Sequence, residues 1–364
     1  MNNPFNPSFG KVPPIYLDRT ARIEDLISEL RNPDSPFQAT LVYGQRGSGK
    51  TSFMTALCLE IEKEKDFIVL NIPSSGNILL SYVQGIYDKT SKVVRKTLDS
   101  LDGISLSVFG VQLEYNKKDD GQINYQLLLE KILKKLSEKK ITVLAVIDEV
   151  KASRELKEFI SVYQILLRQN FPVRLLLAGL PQNVSELQND NQLTFLLRAP
   201  RVTLEPLDSS NVRYNYKKAF ESGGKTLDEK ALDKMTRASG GYAYAFQLMG
   251  WLLWKNTQDK ITEKNVDSVL DEYKMLLFRN AYIKIAENLS RMDKAFVINM
   301  AKNTGPTSMK ELVREMGKSN AYLSNYRARL LDSQIIKQTS YGYVGFALPY
   351  FREFVNERLA VEFE

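Results

Sequence analysis

One eight-residue stretch restricts this chain more than any other. Residues 44–51 read GQRGSGKT, a full match to the spacing G-x-x-x-x-G-K-[ST]. An apolar run, Ala39–Tyr43, precedes it and a helix is predicted from Thr51, so the match sits on a strand–loop–helix unit. That context is what a phosphate-binding loop requires. Gly44, Gly47 and Gly49 let the backbone turn tightly and aim its N–H groups inward at phosphate oxygens. The N-terminus of the following helix adds positive potential at the same place. Lys50 supplies a point charge to β- and γ-phosphates, and the Thr51 hydroxyl is a Mg²⁺ ligand. Gly44, Gln45, Arg46, Gly47, Ser48, Gly49, Lys50, Thr51 and Ser52 are therefore the candidate nucleotide-binding residues.

Five short apolar runs organise the first two hundred residues: Ala39–Tyr43, Phe67–Ile72, Ile141–Ile147, Val173–Ala178 and Arg201–Glu205. Continuous apolar runs alternating with helical periodicity predict a parallel sheet covered on both faces, an α/β core. The third run ends in Asp148-Glu149. Carboxylates at the carboxyl end of a buried strand lie where open α/β sheets bind ligands. Asp148 is the candidate metal ligand, and Glu149 the candidate for polarising an attacking water.

Composition removes several kinds of chemistry. The 364 residues include no histidine, which excludes Ser-His-Asp and Cys-His catalysis and every His-ligated zinc site. Cys58 is the only cysteine, so no internal disulfide or Cys-rich zinc cluster forms. Its apolar helical neighbours predict a buried, inert thiol. The net charge of +7 leans mildly toward polyanionic partners, of which ATP is itself one. The N-terminus MNNPFNPSFGKVPP lacks the apolar core of a signal peptide. The most hydrophobic stretch, Tyr242–Trp254, falls short of the ~20 residues of a membrane span. A cytoplasmic protein with no membrane segment is expected.

Three segments follow from these patterns. Residues 1–208 form an α/β core, interrupted near 103–116 by a stretch (Ile104–Tyr115) whose alternation reads as an inserted β-hairpin. Residues 209–287 lose the strand signals and read as a small all-helical domain. Its helices are predicted from Ser209–Ser210 to about Ser222, then around Asp228–Ser239, Tyr242–Lys255 and Glu263–Tyr282. Residues 288–364 open with three short helices (Arg291–Lys302, Ser308–Met316, Asn320–Ser333). Two strands, Ile335–Thr339 and Tyr343–Ala347, follow around a Tyr-Gly turn, the layout of a winged helix-turn-helix. Between Arg291 and Arg352 there are ten Lys/Arg against four Asp/Glu. Asn320, Ser324, Asn325, Arg327 and Arg329 on the third helix, with Lys318 before it, are the candidate DNA contacts, and Tyr341 or Tyr343 marks the wing tip. Leu323, Leu330 and Leu331 read as core, as does the aromatic-rich helix Tyr242–Trp254.

The phosphate loop and the strand ending in Asp-Glu resemble the AAA+ and STAND divisions of P-loop ATPases, and more closely prokaryotic ATPases akin to the origin-recognition initiators of archaea. The likeness extends to Asn3–Pro14 followed by Asp18-Arg19, to Ser239–Gln247 (SGGYAYAFQ) leading into the lid helix, and to Leu330–Lys337 (LLDSQIIK) before Phe346–Tyr350. The resemblance implies a P-loop NTPase sheet with a helical lid and a C-terminal winged helix, and ATP with Mg²⁺ as ligands. It implies that Arg19 lies against the adenine, although Asp18 stands where relatives carry glycine. It also implies an arginine finger at Arg198 or Arg201, with Arg198 favoured, which reaches the ATP of a neighbouring copy. Two departures point to slow turnover: the fourth strand carries no polar sensor before Gln182 and Asn183, and the lid helix has no arginine between Gly241 and Trp254. The expectation is an ATP-hydrolysing switch that alternates between ATP and ADP and associates with double-stranded DNA, as a homo-oligomer or with a protein partner. Two rivals remain, a STAND-like signalling or defence ATPase whose winged helix binds protein, and a nucleotide-binding scaffold that scarcely hydrolyses.

Overall fold

The computed structural model describes residues 2–8, 15, 20–91, 95 and 124–363. The hairpin expected near 103–116 and Arg19 lie outside the described residues. Two compact units emerge: residues 20–43 with 53–203, and residues 1–19 with 44–52 and 204–364.

The first unit is built on five parallel strands. In chain order it holds α1 (Thr20–Arg31), β1 (Ala39–Tyr43), most of α2 (Lys50–Ile61), β2 (Phe67–Asn71), α3 (Ile78–Lys89), α4 (Tyr125–Glu138), β3 (Thr142–Ile147), α5 (Arg154–Arg168), β4 (Val173–Gly179), α6 (Pro181–Gln188) and β5 (Arg201–Thr203). The strand order is β2-β3-β4-β1-β5, with every neighbouring pair parallel. All residues of β1 and β4 are buried, which is why these strands read as unbroken apolar runs instead of alternating ones. Odd-numbered residues of β1, β3 and β4, such as Leu41, Ala145 and Leu177, share one core with α3, α4 and α5. On the opposite face Arg174 of β4, itself buried, donates from Nε to the Leu30 carbonyl of α1 at 2.8 Å. Burial lowers the pKa of this guanidinium, yet its bonds to the Leu30 and Val173 carbonyls satisfy it. Cys58 of α2 is buried and its thiol is pushed up to about 12, chiefly by desolvation, in agreement with an inert cysteine.

The second unit contains α7 (Ser209–Ser222), β6 (Thr226–Leu227), α8 (Glu229–Ser239), α9 (Ala243–Asn256), β7 (Lys260–Ile261), α10 (Glu263–Leu277) and α11 (Ile283–Glu287). It continues with α12 (Arg291–Ala301), β8 (Thr307–Ser308), α13 (Met309–Met316), α14 (Asn320–Asp332), β9 (Ile336–Ser340), β10 (Tyr343–Phe346), α15 (Phe351–Phe354) and α16 (Ala360–Phe363). Two findings differ from the sequence reading. The helical segment is not purely helical, because β6 and β7 pair in parallel. The cap of α7 is Asp208, whose carboxylate accepts from the Ser210 and Asn211 N–H groups, and not Ser209 or Ser210. The winged layout is present: α12, α13 and α14 precede an antiparallel β9–β10 hairpin, and β8 adds a third strand.

A continuous apolar core runs through this unit. Helix α9 contributes Phe246, Leu248, Met249, Leu252 and Leu253, so its aromatic composition serves packing, as its spacing predicts. The N-terminal segment is part of the same core. Phe5, 1% exposed, sits among Tyr216, Phe220, Phe246 and Trp254, and Asn3 Nδ2 donates to the Trp251 carbonyl. Helices α10 and α11 are joined by a π-turn, Phe278–Tyr282, and a second π-turn, Val355–Leu359, joins α15 and α16. Among the described residues no helix is long and apolar enough to cross a membrane.

Candidate functional site

The phosphate loop leaves the sheet at Tyr43 and enters α2 at Lys50. Gly47 (φ 76°) and Gly49 (φ 91°) occupy the left-handed region that the loop path demands. Gly47 is required for a second reason: a Cβ there would lie 2.1 Å from the Tyr242 hydroxyl. At Gly44 a Cβ would meet Ser48 Oγ at 2.3 Å, so that glycine keeps the loop closed on itself. Lys50 Nζ donates to the Gly44 and Gln45 carbonyls at 2.7 and 2.9 Å, which lays the ammonium across the loop. Helix α2 begins at Lys50, so the positive end of its dipole lies at the loop. Together these features make a cradle with amide donors, one cation and one hydroxyl (Thr51).

The start of the lid helix closes on the same loop. Tyr242 Oη donates to the Arg46 carbonyl at 2.7 Å, and the Tyr244 N–H donates to the Gly47 carbonyl at 3.1 Å. Beside these contacts Gln45, Ser48, Glu205, Tyr242, Ala243 and Gln334 line a small cleft. Gln45 Oε1 is buried in it without a hydrogen-bond partner. An unsatisfied acceptor there fits an N–H or O–H group of a polar ligand. A phosphate chain, which offers acceptors, is fitted instead by the Lys50 ammonium and the start of α2. The role of Tyr242 was not legible in the sequence, where it reads as a core aromatic.

The acidic pair belongs to the sheet unit. All five strands run parallel, so the carboxyl ends of β1 and β3 lie on one edge of the sheet, with β4 between them. At the end of β3 the chain turns sharply. Glu149 adopts φ 53°, its N–H donates to Asp148 Oδ1 at 2.8 Å, and the Val150 N–H returns to the Ala178 carbonyl of β4 at 2.9 Å. A left-handed glutamate costs about 1–2 kcal/mol. Strain held in place by a neighbouring strand is a mark of functional positions. The turn leaves Glu149 exposed and Asp148 half-buried. Among the described residues no group of three or more Asp, Glu, Cys or His side chains is placed to hold a metal alone.

The two candidate finger arginines part company. Arg201 Nη2 donates to Gln188 Oε1 at 2.9 Å and its guanidinium lies over the Tyr43 ring, so it is committed to the strand end. Gln188 is a buried node that also accepts from Tyr43 Oη at 2.6 Å and donates to the Leu196 carbonyl, a role with no signal in the sequence. Arg198 is exposed. On the winged segment, Arg329 is not a free surface cation: it bonds Asp293, which is 1% exposed, at 2.6 Å, and also Ser290 Oγ. Arg327 donates to Gln338 Oε1 of β9 at 2.8 Å. Asn320, Ser324 and Asn325 are exposed, as are Lys318, Tyr322 and the wing-tip residues Tyr341 (96%) and Tyr343.

A five-stranded parallel sheet with the loop 44–51 after its first strand, followed by helices and a winged tail, is a fold shared with solved structures of low sequence identity. Among solved structures, the chain is similar over its length to the Walker-type ATPase PABY2304 of Pyrococcus abyssi, with TM-score 0.64, 16% identity, and coverage of 94% of this chain and 96% of that one. It is also similar to the ORC2 protein of Aeropyrum pernix solved as ADPNP–ADP complexes, with TM-score 0.62, 14% identity, and coverage of 98% and 97%. The ADP form of that ORC2 protein gives a TM-score of 0.53 at 13% identity. In sequence, a family profile described as a domain of unknown function (DUF8462) matches residues 279–355. No curated protein sequence matches the chain.

Proposed function

We propose that this chain is a cytoplasmic nucleotide-dependent switch that binds ATP and Mg²⁺, hydrolyses ATP slowly to ADP and phosphate, and associates with double-stranded DNA through its winged segment. The observation that carries the reading is the loop itself: two left-handed glycines, a helix start and the Lys50 ammonium converge within nine residues. The structural neighbours, a Walker-type ATPase and an ORC2 protein in complexes with ADPNP and ADP, support it. In this reading residues 1–208 form the ATPase core, 209–287 the lid and 288–364 the winged helix.

Each residue then has a task. Lys50 moves from the loop carbonyls to the β- and γ-phosphates, and the amides of 44–52 orient the phosphate chain. Thr51 and Asp148 would hold Mg²⁺, which when bound would offset negative charge on the phosphate oxygens. Glu149 polarises the attacking water. Arg198, exposed where Arg201 is engaged, is the finger offered to a second copy, and a finger in trans is worth about 10³–10⁵-fold in rate. Slow turnover follows from a fourth strand that is apolar from Leu175 to Gly179 and a lid helix without arginine.

One observation favours the second reading, a STAND-like ATPase whose winged segment binds protein. Arg327 and Arg329 are held by Gln338 and Asp293, while Tyr322, Tyr341 and Tyr343 are exposed. Exposed tyrosines suit protein partners at least as well as phosphates. Calorimetric titration with ADP and ATP tests the common part. Wild type is expected to bind, and Lys50→Ala to lose at least about 100-fold in affinity, roughly 2.7 kcal/mol. Unchanged affinity in that variant overturns the assignment of the loop.

A further inference from the structure

Two buried tyrosines connect the phosphate loop to the winged segment through groups that packing alone does not require. Tyr242 donates its hydroxyl to the Arg46 carbonyl. Its ring lies against that of Tyr282, with centroids 6.3 Å apart and planes inclined by 30°. Tyr282 in turn donates its hydroxyl to the Pro349 carbonyl, and its ring meets Phe351 and Phe354 edge-on at 5.1 and 5.7 Å. Phe351 continues to Phe346 of β10 at 5.6 Å. Phenylalanine would fill either tyrosine site, so it is the hydroxyls, each aimed at one main-chain carbonyl of another element, that call for explanation. Burial raises both phenol pKa values, so both remain neutral donors.

The Arg46 contact has a geometric consequence. The Arg46 carbonyl and the Gly47 N–H belong to one planar peptide, and no cis peptide occurs among the described residues. In a trans peptide the two groups point in opposite directions. Holding the carbonyl toward the lid therefore aims the Gly47 N–H away from it. The Tyr244 N–H holds the Gly47 carbonyl, while the Ser48 N–H donates to the Gln45 carbonyl at 3.2 Å within the loop. The lid thus fixes the direction of the Gly47 amide. At its other end the connection reaches two irregular places. Tyr282 ends a π-turn in which the Ile283 N–H bonds the Phe278 carbonyl five residues back. Tyr350, next to Pro349, is a non-glycine residue at φ 56°. Single π-turns are rare and recur at functional sites.

We propose that Tyr242 is a positioning residue of the phosphate loop, and that through Tyr282 the orientation of the Gly47 amide is coupled to the packing of the β9–β10 hairpin. The coupling rests on nucleotide binding at this loop and adds to it a defined route to the winged segment. It is reciprocal: a partner that repacks the hairpin changes nucleotide affinity by the same factor.

The test compares wild type with Tyr242→Phe, Tyr282→Phe, the double variant and a control, Tyr216→Phe, whose buried hydroxyl donates to the Phe246 carbonyl in the same core. Affinity for a fluorescent ADP is measured, together with hydrogen exchange of residues 336–346 with and without ADP. In wild type, ADP is expected to change exchange in the hairpin by about fivefold or more, the low end of ordinary allosteric coupling. Tyr242→Phe is expected to weaken ADP binding by about tenfold, the loss of one hydrogen bond, and to abolish the hairpin response. Tyr282→Phe should abolish the response as well, the double variant should add nothing to Tyr242→Phe, and the control should retain the response. A full response in either Phe variant, or its loss in the control, overturns the coupling. Wild type that binds ADP without any change in the hairpin sinks the coupling alone, whereas wild type that binds no ADP sinks the nucleotide assignment with it.

Discussion

At Gly47 two constraints fall on one atom. The backbone is left-handed, which costs an alanine about 1 kcal/mol or more, and the missing Cβ is the space in which the Tyr242 hydroxyl sits. Gly47→Ala should displace Tyr242, lower nucleotide affinity by at least about tenfold, or 1.4 kcal/mol, and leave the sheet unit folded. Calorimetry and circular dichroism on the same sample check both halves of that expectation. Glu149 poses the opposite case, a residue that tolerates strain. Glu149→Gln preserves shape and the Asp148–Val150 turn while removing the charge. It should bind ATP as wild type does and hydrolyse it more slowly, on the order of 10²-fold in single turnover if the carboxylate acts on water. Equal rates would deny Glu149 a catalytic role.

The same scale shows where sequence was informative. The turn at Gly47 and Gly49 and the helix start at Lys50 were legible because their spacing dictates the backbone path. Tyr242 was not, because its partner Arg46 is 196 residues away and nothing local distinguishes its hydroxyl from that of any core tyrosine. Arg329 misled for a related reason: its charge and helical position suit DNA, but Asp293, 36 residues earlier, holds it. Gln188, which receives Tyr43 and Arg201 together, carried no pattern at all.

Among elements, the strands of the sheet were readable to within a residue or two, since burial on both faces forces continuous apolar runs. The pair β6 and β7 has two residues in each strand, too few for any period to show. The π-turn at Phe278–Tyr282 hid inside an otherwise regular helical pattern, because one wider turn does not interrupt the alternation of apolar and polar faces. Helix α14 is tied to α12 by the Arg329–Asp293 pair, in which the carboxylate is buried and also closes the Ser290 capping box. Removing one partner of such a pair strands the other. Arg329→Ala is expected to destabilise the winged segment by about 2 kcal/mol or more, less than the 3–5 kcal/mol of a wholly buried pair because the arginine is partly exposed. Urea denaturation measures it. A neutral outcome would mean that Asp293 finds water or another donor.

For the molecule as a whole, residues 44–52 group with the lid and the winged segment, and the sheet forms a unit without them. The environment of the loop is accordingly set as much by residues 204–364 as by the strand that leads into it. Partner choice belongs to this scale too. Two arginines of α14 are engaged internally, so Lys318 and the remaining cations must supply any phosphate contacts. Duplex DNA binding is then expected to be shallow in salt: two to four contacts give a slope of log K against log salt of roughly −2 to −4. A salt series from low ionic strength reads it directly. No binding at the lowest salt removes DNA and leaves the protein-partner reading.

The lone thiol of Cys58, buried and held in its protonated form, has a practical consequence. The native chain is expected to react little with maleimide at neutral pH, so a cysteine introduced elsewhere should become the reactive handle without any prior removal of the natural one. Tyr341, 96% exposed at the tip of the β9–β10 turn, is a natural place for it. A fluorophore on Tyr341→Cys would follow the wing in real time as nucleotide is added.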